Sequence, residues 1–102
     1  MKDNKLYNIL DLIEEINKVD KMIELHQDSA SDLMLKQYQN QKLKLSNLLF
    51  KELLTNTDSR TDVMYLIKMF IEKFYQKEIK NHRRFKKEDH LKRIEDVFLE
   101  MN

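Results

Sequence analysis

What the residues predict is an all-α protein: a small helical bundle built on an antiparallel helical hairpin, with three long helices, a short C-terminal helix and a core completed by dimerisation. Three observations carry this expectation. The chain of 102 residues has no glycine and no proline, where the two together ordinarily make up roughly a tenth of a sequence. Tight β-turns therefore have none of their favoured residues, and connections must be made with Ser, Thr, Asn and Asp. Apolar residues recur with three-and-four spacing, the period of a helix face. Charged residues at 36% and hydrophobic ones at 41% match helices with one wet and one dry side, not a disordered tail.

A single domain is expected over 1–102, with the hairpin in 1–54. The first helix follows from Ile9, Leu12, Ile16, Val19 and Ile23, a heptad seam that continues to His26. Leu6, Leu10 and Ile13 widen the stripe, and Glu14, Glu15, Lys18 and Lys21 lie on its wet side. Ser29, three residues before Asp32, has the form of a capping box that opens a second helix. The seam of that helix is expected through Met34 or Leu35, Tyr38, Gln41, Leu45, Leu48 and Leu49, across an unusually polar middle from Gln37 to Lys42. The short connection makes the two helices antiparallel neighbours.

A second break is expected at 55–62. Asn56 suits a left-handed helix end, and Ser59 with Asp62 repeats the capping pattern. The third helix, 58–80, is apolar over most of its circumference, with only Lys68, Glu72 and Gln76 forming a wet stripe beside Lys73 and Lys77. So narrow a polar face marks a helix buried on several sides. Leu66, Ile67, Phe70, Ile71 and Phe74 are accordingly the expected oligomer interface. The apolar phase is lost in the basic junction 81–88. It returns at Leu91, Ile94, Val97, Phe98 and Met101 in a short helix within 89–102.

The same inventory excludes several chemistries. With no cysteine there is no disulfide, thiolate site or cysteine nucleophile, and with no glycine there is no phosphate-cradling loop. Glu78 and His82 stand four apart, but neither Glu-x-x-His nor His-Glu-x-x-His occurs. Adjacent Glu14 and Glu15 do not face one another on a helix. His26 sits at the end of the first seam, where a structural role outweighs a catalytic one. No catalytic, cofactor-binding or metal-binding residue is expected, and no cofactor.

Charge is nearly balanced, 19 basic against 18 acidic residues, so any electrostatic function is local. Residues 77–93 hold eight basic side chains against three acidic ones, a net of +5. Lys80, Arg83, Arg84, Lys86, Lys87 and Arg93 are the candidates for binding an anionic partner, with Phe85 placed to stack on a base. A solvated helix junction explains the same residues and is the weightier reading, since short basic runs are common. The opening residues carry no apolar run of signal-peptide length, so a cytoplasmic location and no membrane partner are expected. The functional expectation is a non-enzymatic interaction or scaffold protein acting as a homo-oligomer, a dimer foremost, that meets another protein. A nucleic-acid-binding accessory role through 77–93 is the alternative.

Overall fold

A computed structural model describes residues 2–28, 32–83, 85–86 and 89–101. All regular structure among them is helical: α1 (Asp3–His26), α2 (Asp32–Asn56), α3 (Arg60–Phe74), α4 (Gln76–Lys80) and α5 (His90–Glu100). None of these helices is long and apolar enough to cross a membrane.

In α1 the expected seam is the buried one: Ile9, Ile16, Val19 and Ile23 are covered and Leu12 is half-buried. His26 ends the helix with its ring edge-on to Tyr38, 5.3 Å away between centroids, while Asp20 reaches Lys42. Late residues of α1 thus meet early residues of α2, which returns alongside it. Ser29, half of the expected capping box, lies outside the described residues. Asp32 is the first residue of α2, at the positive end of the helix dipole.

The buried side of α2 corrects the expected seam. Lys42, Ser46, Leu49 and Leu53 are buried, whereas Gln41 and Leu48 are exposed. The helix is turned by one residue, about 100°, relative to the expected seam, of which Leu49 is buried and Tyr38 and Leu45 are half-buried. The Lys42 stem is itself apolar, and counter-charges hold its ammonium group, so a lysine occupies the core-facing position. At the C-terminus Asn56 does not adopt a left-handed conformation; no described residue has a positive φ. Its side-chain amide instead donates to the Glu52 carbonyl at 2.9 Å and to the Glu52 carboxylate at 3.0 Å, satisfying helix-end acceptors that a left-handed turn would otherwise serve.

Ser59 opens α3 as expected, its hydroxyl accepting from the Asp62 N–H at 3.3 Å. Val63 and Phe70 enter the core, where Ile9, Ile16, Leu49 and Leu53 complete the cluster from α1 and α2. Phe70 is its aromatic centre: Phe50 meets it edge-on at 5.3 Å and Phe74 lies 5.0 Å away. The expected continuous helix over 58–80 is not observed. It breaks at Tyr75, with φ −127° and ψ 13°, and only the short α4 follows.

The junction carries no regular structure at 82–83, 85–86 and 89. Asp89 then caps α5, its carboxylate accepting from the Leu91 N–H at 3.0 Å. Among the described residues α5 packs extensively along no other helix, and its Glu95 reaches back to His82 at 3.9 Å. The result is an open molecule: the radius of gyration is 16.3 Å, where a closed globule of this length has about 13 Å.

Candidate functional site

Two places concentrate polar chemistry, the bend at Tyr75 and the basic junction beyond it. At the bend, Lys42 projects from the second turn of the polar middle of α2 toward the end of α3. Its side chain is 3% exposed, with Nζ 2.9 Å from Asp20 Oδ1 and 3.3 Å from Glu78 Oε1. It also donates to the Phe74 carbonyl and stands 4.3 Å from the centroid of the Tyr75 ring. Three acceptors answer the three N–H bonds of an ammonium, and the ring adds a cation–π contact. The Tyr75 hydroxyl is 2.9 Å from Ser46 Oγ, which donates to the Lys42 carbonyl at 2.7 Å.

This arrangement ties α1, α2, α3 and α4 at one point and accounts for the break at Tyr75. The Phe74 carbonyl is drawn toward the Lys42 ammonium, and Glu78, one turn on, is held by the same nitrogen. Chemically the cluster is a pin. With all three donors engaged, the lysine has no free direction from which to attack a substrate. The adjoining cleft, about 400 Å³ in volume, is bounded by Glu24, Gln39, Lys73, Gln76, Lys77 and Asn81 among others. Sequence reasoning placed Lys42 in the unusually polar middle of α2 and left it out of the seam. The signal that identifies it is its spacing of four, seven and eleven residues from Ser46, Leu49 and Leu53.

Glu78 and His82, which stand four apart, are drawn to different partners. Glu78 goes to Lys42, while His82 faces Glu95, Nε2 to Oε2 at 3.9 Å, and meets Phe85 edge-on with ring centroids 4.7 Å apart. Among the described residues no three His, Asp or Glu side chains converge as metal ligands would. Phe85, the aromatic residue of the basic stretch, is half-buried and in ring contact with that histidine.

Of the basic candidates, Lys80, Arg83, Lys86 and Arg93 are exposed, and Arg84 and Lys87 lie outside the described residues. Lys92, also in the basic stretch, is joined to Asp96 one turn along α5. The expected oligomer interface divides: Phe70 is buried, Ile67, Ile71 and Phe74 are half-buried around the chain's own core, and Leu66 faces outward. The outward apolar residues of α3 are Met64, Tyr65, Leu66 and Met69. The larger uncovered face belongs to α5, where Leu91, Ile94, Val97 and Phe98 are between 51% and 70% exposed, with Met101 exposed just beyond the helix. Compared with known protein families, curated proteins and solved structures, the chain matches none.

Proposed function

We propose that this chain is a non-enzymatic interaction protein: a helical bundle on the antiparallel α1–α2 hairpin that works as a homo-oligomer and offers a helical surface to another protein. The observation that carries the reading is surplus apolar surface. Met64, Leu66 and Met69 on α3 and the whole dry face of α5 stand in solvent, and contiguous apolar surface on a small protein marks a place where something binds. Sedimentation velocity over a dilution series is the test. A species of twice the chain mass or more is expected at micromolar concentration, and a strict monomer at high concentration overturns the reading.

A second reading, an accessory factor for nucleic acid, is favoured by one observation. Lys80, Arg83, Lys86 and Arg93 are exposed and make no ion pair among the described residues. Such cations release counterions on meeting phosphates, so binding would weaken steeply with salt. Fluorescence anisotropy with labelled duplex and single-stranded DNA and RNA at low and raised salt decides it, and absence of binding at low salt rejects it.

A further inference from the structure

We propose that α5 is an exchanged arm: its apolar face docks on the acid-rimmed groove between α1 and α2 of a second copy, which returns the same contact. The inference rests on the oligomeric reading above and assigns its surface.

The arm comes first. Leu91, Ile94 and Phe98 fall at spacings of three and four, the stripe by which a helix lies in an apolar groove, and Met101 follows just past the helix end. An isolated helix shorter than about 12 residues is marginal in water, and α5 has 11. Among the described residues Leu91, Ile94 and Phe98 are 51%, 53% and 70% exposed, so this stripe is open to a contact from outside.

The groove is in the same chain. It has a volume of about 310 Å³ and is bordered by Leu12 and Leu48, with Lys5, Asp11, Glu15 and Glu52 around them. Three carboxylates against one ammonium make the rim net negative by two. The segment that leads into α5 carries Lys80, Arg83 and Lys86, exposed and making no ion pair among the described residues. The basic lead-in segment is therefore complementary in charge to the acidic rim, while α5 itself, with Lys92 and Arg93 against Glu95, Asp96 and Glu100, meets the groove through its apolar face. A chain that carries both halves of a contact closes as a two-fold pair when each copy returns the contact to the same neighbour, and then needs no other partner. With a net charge of +1, two copies do not repel in bulk.

The area agrees. The chain exposes 8779 Å², whereas a compact monomer of 12.5 kDa exposes about 6200 Å². Covering much of that surplus on two copies gives an interface in the obligate-dimer range of about 2000–5000 Å².

The experiment is light scattering with sedimentation on the full chain at tens of micromolar, with circular dichroism to check folding. The parent chain is expected to be a dimer. Ile94→Asp with Phe98→Asp places charges on the arm and is expected to raise the dissociation constant at least about 100-fold while the melt of α1 to α3 persists. Leu48→Asp changes the groove alone and is expected to do the same. Mixing the arm variant with the groove variant should restore dimers, since one intact arm meets one intact groove. A monomeric parent chain overturns both this inference and the oligomeric reading. A dimer that survives the arm substitutions overturns the exchange alone, and so does a mixture that stays monomeric after both variants have come apart.

Discussion

Lys42 shows how one side chain reconciles a polar stretch with a packed core. Its stem fills a core-facing position of α2, and its ammonium group is met by Asp20, Glu78, the Phe74 carbonyl and the Tyr75 ring. Pairs of this kind add little net stability over an apolar residue of similar shape, but removing one partner is costly. Asp20 and Glu78 are 26% and 52% exposed and are able to turn to water, so Lys42→Met, which keeps the stem, is expected to alter stability by no more than about 1 kcal/mol. Lys42→Ala, which also empties the space of the stem, is expected to cost about 2–4 kcal/mol. Urea unfolding of both variants checks the contrast, and equal losses would show that charge, not packing, holds the site. Ser59 makes a simpler case. Loss of its hydroxyl in Ser59→Ala leaves the Asp62 N–H without its cap and is expected to cost about 1 kcal/mol in the same assay.

Among the elements, α3 and α5 respond to their apolar residues in opposite ways. Phe70 stands among Phe50, Phe74 and Tyr75 and is 7% exposed. Phe70→Ala is expected to lower stability by about 3–5 kcal/mol, read as an early thermal melt. Phe98 is 70% exposed. Phe98→Ala is expected to leave the melt of α1 to α3 almost unchanged in dilute solution. A loss comparable to that of Phe70→Ala would mean that α5 packs on its own chain. The break between α3 and α4 was not legible in the sequence. No proline or glycine marks it, and it follows from a carbonyl captured by a lysine 32 residues earlier.

For the whole molecule the informative quantity is openness. A radius of gyration of 16.3 Å against about 13 Å for a closed globule means that the core formed by α1 to α3 leaves the rest of the chain uncovered. A fold completed by a second copy is stabilised by mass action, so its thermal midpoint rises with protein concentration. Differential scanning calorimetry over a hundredfold concentration range is expected to show that rise, and a constant midpoint would mark a self-sufficient monomer.

The helical class, the seam of α1 up to its end at His26, the cap at Ser59 and the break near 57 were all legible in the sequence. Each depends on residues within a few turns of one another: spacing along one helix, a hydroxyl three residues before an N–H, the absence of glycine and proline. The rotation of α2 that buries Lys42, the split of α3 from α4, and the division of the α3 apolar stripe between core and solvent were decided by tertiary structure. Local spacing says that a helix has a dry side, but which residues are covered depends on what packs there. At Lys42 that is a carboxylate from α1 and a carbonyl from α3, both remote in sequence and brought together only when the helices meet.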